Sequence, residues 1–256
     1  MPTSSGLALV AGDGVGQPAS TENILLSLLP EEESAVIVEN ANRVFHDLRD
    51  HLFDVGDTIE HVYFPIGGMV SLVTTLSDGT SIEAATVGLE GFVGLPLFHG
   101  VQDHRTRGIC QSEGELYEIS AETFRKRLEP LPALNSLLHR YAQFSNEVVT
   151  QSSACNATHL IEQRCARWLL TTADGIGKTK FRLTQEFLSQ MLAVRRPGVT
   201  VAMGALVRQG LIGHTYGVVD IVDVEGLKKT ACECYMTLRA AQHDLLRVTR
   251  PATNEV

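Results

Sequence analysis

The chain reads as an α+β protein: an N-terminal antiparallel β-roll, jelly-roll-like, then one long helix, then a C-terminal winged helix-turn-helix. Three observations carry this. Short β-like runs alternate with Gly-rich corners between Val44 and Ser120, a stretch without Gly or Pro follows Pro132, and two helical segments flank a tight turn between Leu183 and Ile212.

The first 20 residues, MPTSSGLALVAGDGVGQPAS, are small and Gly-rich and lack a basic start followed by an apolar run. They read as a disordered tail and not as a signal peptide. The roll is expected over 21–130. Asp54-Val55-Gly56-Asp57, Pro65-Ile66-Gly67-Gly68, Ser77-Asp78-Gly79-Thr80 and Ser112-Glu113-Gly114-Glu115 bracket strands such as Val70–Leu76 and Ser81–Val87. Regular short strands with such corners form a small antiparallel barrel or jelly roll.

A helix is expected over 131–157. Leu134, Leu138, Tyr141, Ser145, Val148, Ser152 and Cys155 recur at alternating spacings of four and three, a coiled-coil-like seam in which three members are small or polar. About 25 residues of helix span close to 37 Å. The seam predicts pairing with a second copy, Leu134, Leu138, Tyr141 and Val148 supplying its apolar part, or else packing on the barrel.

The final domain is expected over 158–256. Thr184 is placed to cap a helix carrying Phe187, Leu188, Met191 and Leu192 on one face. Pro197 suits the first turn of a second helix, where a missing N–H is harmless, and Val199, Met203 and Leu206 should be buried. The opposite face carries Arg196, Thr200, Val201 and Gly204, with Arg195 beside them at the N-terminal end, the end that reaches base edges in this motif. Val219, Ile221 and Val224, entered through Gly213 and Gly217, predict a β-like wing.

Charge separates the halves. The chain carries −9 overall, yet residues 160–210 hold eight Lys and Arg against three acids, while residues 1–159 hold eight against 21. One half repels nucleic acid and the other attracts it. Arg195, Arg196, Thr200 and Val201 are the expected base-facing group, and Lys178, Lys180 and Arg208 the expected phosphate contacts. No apolar run approaches membrane-spanning length, so no membrane partner is expected, and an odd count of five cysteines does not make a disulfide framework. A cytoplasmic protein follows.

The order of roll, long helix and winged helix-turn-helix resembles the Crp-Fnr superfamily of bacterial transcription regulators over about residues 24–247. FDVGDTIEHVYFPIGGMVSLV, VGLEGFVGLPLF, NATHLIEQRCARWLL and LTQEFLSQMLAVRRPGVT carry the resemblance. It implies a homodimer on a two-fold-related stretch of double-stranded DNA, a roll that senses a small-molecule effector, and RNA polymerase as a further partner. Cyclic-nucleotide binders of the superfamily grip the cyclic phosphate with an Arg-Ser or Arg-Thr pair and the ribose with a Glu after a Gly. In this chain Gly94 stands where that Glu is expected, after Gly91, Phe92 and Val93, and His104 and Arg105 stand at the pair. A register shift would bring Arg105 or Arg107 to the grip, but the carboxylate has no substitute, so these seven form the candidate effector pocket and cyclic AMP is not expected in it. In the recognition helix, Arg196-Pro197 and Val201 replace an Arg-Glu and a later Arg, which implies a different operator.

No cofactor or metal is expected. Iron–sulfur sensing in the family uses N-terminal cysteines, and no cysteine precedes Cys110. Cys232 and Cys234 read as residues on different faces of a final helix, and so as packing residues, and Cys155 as a buried thiol or an intersubunit disulfide. Two other classes compete: a cupin-like barrel enzyme, which needs clustered His and carboxylate ligands that the roll lacks, and an interaction module without DNA binding, against which the arginine pair speaks. The reading is therefore of a non-enzyme.

Overall fold

The computed structural model describes residues 23–247, so the tail expected over 1–20 lies outside the described residues. After α1 (Glu31–Glu39), seven strands follow: β1 (Asn42–His46), β2 (His51–Phe53), β3 (His61–Pro65), β4 (Met69–Thr75), β5 (Ser81–Val87), β6 (Arg107–Ser112) and β7 (Gly114–Ser120). The short α2 (Leu95–Phe98) interrupts them after β5. They pair antiparallel into two sheets, β1-β7-β3 and β2-β6-β4-β5, which face each other as a roll. The SDGT corner closes β4 onto β5: Gly79 takes φ +86°, and the Asp78 carboxylate accepts from the Thr80 N–H at 2.9 Å.

Two apolar clusters fill this half. Phe53, Tyr63, Val70, Val87, Val93 and Leu116 close the space between the sheets. Phe64, Phe92, Ile119, Phe124 and Leu128 form a second cluster with the first turns of the long helix. After α3 (Ala121–Thr123), that helix is α4 (Pro132–Thr158). Its start is fixed by Glu33 of α1, whose two carboxylate oxygens accept from the N–H groups of Ala133 and Leu134 at 3.0 and 2.8 Å, satisfying donors that a helix N-terminus leaves open.

The expected seam of α4 turns inward. Leu134, Leu138 and Tyr141 are buried in the roll-side cluster, and Val148 is half-buried at a cleft that α5 and α9 (Ile161–Ile176 and Cys234–Leu246) also line. Leu134, Leu138 and Tyr141 thus meet apolar partners within the same chain. Gly91 shows how close the helix lies: a Cβ there would stand 2.6 Å from the Tyr141 hydroxyl.

The C-terminal half comprises α5, β8 (Lys180–Arg182), α6 (Gln185–Met191), α7 (Arg196–Arg208), β9 (Ile212–Thr215), β10 (Val218–Ile221), α8 (Val224–Thr230) and α9. Strands β8, β10 and β9 form a three-stranded antiparallel wing sheet. Val224 belongs to α8 and not to the wing: Asp223 caps that helix by accepting from the Gly226 N–H at 2.9 Å, which ends the extended run at Ile221. Trp168, Leu169, Phe187, Leu188, Val199, Met203, Leu206 and Val219 build the core of this half. Met69, Val73 and Ile109 of the roll belong to the same cluster, so the two halves share apolar surface.

Candidate nucleic-acid interface

Thr184 caps α6, its hydroxyl accepting from the Phe187 N–H at 3.2 Å. The helix ends at Leu192, and Ala193 takes φ +49°, a left-handed turn that swings the chain into α7. Arg195 is the N-cap of α7 and Pro197 lies in its first turn. Val199, Ala202, Met203 and Leu206 are buried, which turns Arg195, Arg196, Thr200 and Val201 outward together. Val201 is 69% exposed, a large apolar residue left uncovered by the described residues. Neither arginine enters an ion pair among the described residues, so both guanidinium groups stand free at a helix N-terminus.

The hairpin is held from beneath. Thr200 Oγ donates to Gln185 Oε1 at 2.7 Å, linking α7 to α6. Arg164, which sequence reasoning counted only as charge, donates to the carbonyl of Leu192 at 2.5 Å and to Asn156 Oδ1 at 2.8 Å. One side chain of α5 therefore fixes the end of α6 against the end of α4. Its position inside a helix of buried apolar residues was the available signal. Tyr216 was also missed: it sits fully exposed at the wing tip, in a turn where Tyr216 and Gly217 both take positive φ.

The expected phosphate contacts divide. Arg208 lies at the C-terminal end of α7, its guanidinium close over Gly204. Lys178 and Lys180 instead line a cleft with Leu48, Glu113 and Arg182, on the side of the wing sheet that meets the roll. There Arg182 pairs with Glu113 at 3.4 Å and Lys180 approaches Asp220 at 3.9 Å. Those two lysines thus flank the junction with the roll and do not join the group at Arg196.

The roll positions do not form one pocket. Phe92 is buried between Phe64 and Phe124, with ring centroids 4.8 and 5.5 Å away. Val93 is buried in the inner cluster, and its N–H and carbonyl bridge to Tyr63 at 2.8 Å. Gly94 caps α2, where a Cβ would press on the Phe92 ring. His104 stacks on Phe53 at 3.6 Å, Arg105 is exposed, and Arg107 is paired with Asp54. Burial holds the His104 imidazole below its ordinary pKa, which favours the neutral ring. A cleft of about 360 Å³ opens beside His104, lined by Phe53, Asp57, Thr58, Glu60, His61 and Tyr63, and its charged groups are acids. Aromatic packing thus engages Phe92 and His104, and an ion pair engages Arg107.

Between the two halves lies a polar junction. The Glu83 carboxylate of β5 meets the Ser71 hydroxyl at 2.7 Å and accepts from Trp168 Nε1 at 2.9 Å, while Gln111 Nε2 donates to Thr172 at 2.6 Å. Burial pushes the Glu83 carboxyl up to about 7, against the opposing pull of Ser71, Arg167 and Trp168.

The cysteines also differ from expectation. Cys232 precedes α9 and Cys234 begins it, so the two thiols are not set on opposite faces of one helix. They converge with Cys155 and His159 from the end of α4. No disulfide joins them.

A roll joined by a long helix to an exposed recognition helix and wing defines a transcription regulator that contacts DNA through its C-terminal half. The Crp-like helix-turn-helix domain matches residues 163–230, and the cyclic nucleotide-binding domain matches residues 45–130. The transcriptional regulator SdrP of Thermus thermophilus is 26% identical over 200 residues, 70% of this chain and 92% of that protein. Two solved structures share the fold. FixK2 of Bradyrhizobium japonicum has TM-score 0.64 and 15% identity over 75% of this chain and 98% of its own. A CRP-family regulator of Thermus thermophilus has TM-score 0.60 and 21% identity over 74% and 96%. In this order on one chain, the two matched domains are those of a Crp-Fnr-type transcription regulator. No described helix is long and apolar enough to cross a membrane.

Proposed function

We propose that the chain acts as a homodimer on a two-fold-related operator, reading bases with Arg196 and placing Arg195 and Thr200 beside it. The observation that carries this is the N-terminal end of α7: two exposed, unpaired arginines above a fully buried apolar face. Val201 offers a methyl surface suited to thymine. Tyr216 at the wing tip and Arg208 supply flanking backbone contacts.

The dimer forms along the side of α4 left open by the inward turn of its seam, where Asn146, Val149, Thr150 and Ser153 are exposed. Small and polar residues there permit close helix approach, and two-fold pairing matches two half-sites one helical turn apart. The roll transmits an effector signal through the Glu83–Trp168 junction, and the effector is not a cyclic nucleotide, since Gly94 offers no carboxylate and Arg107 is engaged by Asp54. RNA polymerase is the partner when the bound dimer activates transcription.

Selection of genomic fragments at stated salt, followed by titration of the selected site, tests the reading. The expected result is a palindromic site bound by two chains, with calorimetry detecting no heat from cyclic AMP. Binding by single chains, or with no sequence preference, overturns it.

A further inference from the structure

Cys155 lies in the last turn of α4 and His159 is the extended residue that caps its C-terminal end, while Cys232 and Cys234 approach from the start of α9. Their four ligand atoms, three sulfurs and one ring nitrogen, all lie within 4.8 Å of one another. Cys155 Sγ is 3.6 Å from Cys232 Sγ, and Cys234 Sγ is 3.5 Å from His159 Nδ1. A tetrahedral zinc ion, at about 2.3 Å from sulfur and 2.0–2.1 Å from nitrogen, requires sulfur–sulfur edges of about 3.8 Å and sulfur–nitrogen edges of about 3.5 Å. Two of the six edges already have nearly those lengths, and the other four do not exceed 4.8 Å.

The surroundings are those a metal site needs. His159 Nε2 lies 3.1 Å from Glu233 Oε1, so the carboxylate accepts from Nε2–H and the Nδ1 lone pair faces the sulfurs. Gln151 Nε2 donates to Cys234 Sγ at 3.0 Å, a bond that favours thiolate. Arg164 and Arg167 are buried nearby, and the Nε of each lacks a hydrogen-bond partner among the described residues. Three thiolates and a dication leave one net negative charge, which buried guanidinium groups offset. His159 is partly exposed, which gives an ion a way in.

We propose that Cys155, His159, Cys232 and Cys234 bind one zinc ion in tetrahedral coordination, clamping the start of α9 to the end of α4. The ligand atoms enclose a single ion and lie too close together to surround an iron–sulfur core. A Cys155–Cys232 disulfide would use two of the four groups and would leave the His159–Glu233 pair and Cys234 without a role. The site lies where α4 gives way to α5, beside the Arg164 contact that fixes the helix-turn-helix, so the bound ion stiffens the joint between sensor and DNA-binding halves.

The test is a cobalt(II) titration of the reduced, metal-stripped full chain, with zinc content measured on protein purified under reductant. About one equivalent of zinc per chain is expected, and cobalt should produce the intense visible bands of a tetrahedral thiolate site, which zinc then abolishes. C232S and C234S should lose the bands. C110S and C165S should keep them, those thiols being buried elsewhere and pushed up to about 12. Glu233→Gln, which leaves all four ligands in place, should weaken cobalt binding about tenfold. The proposal is overturned if reduced wild-type protein gives no bands, or if the bands persist in C232S. It is equally overturned if anaerobically purified protein contains a Cys155–Cys232 disulfide and takes up no metal after reduction.

Discussion

The turn at Gly91–Gly94 in the roll and the start of α7 at Arg195–Val201 both depart from the pattern of better-known relatives, but in opposite physical senses. In the roll, the segment where a ligand grip would lie is drawn into the interior. Phe92 is packed among aromatic rings, Val93 bridges to β3, and Tyr141 of α4 crowds Gly91. At α7 the altered residues remain in water, with the arginines unpaired and Val201 uncovered. An exposed residue is free to touch a partner, whereas a residue drawn into the core is held by its packing.

Four measurements sharpen or break that contrast. Phe92→Ala should have the largest effect, a loss of about 3–5 kcal/mol in urea unfolding, because it removes a buried ring from a filled cluster. A loss below about 1 kcal/mol would mean that the space around Phe92 is open and able to hold a ligand. Arg196→Ala should lower operator affinity by about 1–3 kcal/mol and relax base preference at one position per half-site, while the unfolding midpoint stays unchanged. Equal affinity and preference in a gel shift would remove this residue from the interface.

Glu83→Gln probes the junction between the two regions. The folded-state carboxyl is raised to about 7 from an ordinary 4.5, so the native chain binds more protons than the unfolded chain between those values. That stabilisation is present at low pH and is lost as pH rises through about 7. The variant should therefore flatten the dependence of stability on pH between about 4.5 and 7 and be more stable than wild type at pH 8, by roughly 1–2 kcal/mol. An unchanged pH profile in thermal unfolding would show that Glu83 is ionised and solvated at the junction. The smallest effect is expected for Arg105→Ala, within about 0.5 kcal/mol in stability, because the side chain is exposed. It should also leave titration with cyclic AMP as featureless as in wild type.

Much of the architecture was legible because it rests on local rules. Ser77–Thr80 is a turn by its own residue chemistry, Thr184 caps α6 with its own hydroxyl, and Val199, Met203 and Leu206 share a face by helical period. The exposed arginines at α7 follow from the same period. The seam on α4 was legible as an apolar stripe but not in its partner, since spacing is the same whether the stripe meets a second chain or its own roll. Val224 was assigned to the wing because a valine carries β propensity, while the cap at Asp223 begins a helix there. The effector positions were found by counting along a motif, which does not register that Asp54 has claimed Arg107 or that Phe53 stacks on His104.

The sequence by itself determined the order of roll, long helix and winged helix-turn-helix, along with the residues that face outward at the start of α7. Each follows from period, capping and turn chemistry acting over a few residues. Only the tertiary structure decided which groups meet across the chain: Glu83 with Trp168, Arg164 with the end of α6, and Cys155 and His159 with Cys232 and Cys234, more than 70 residues away. Such contacts arise from how α4, α5 and α9 pack to bury their apolar faces, and no local pattern encodes the separation at which two distant side chains come to rest.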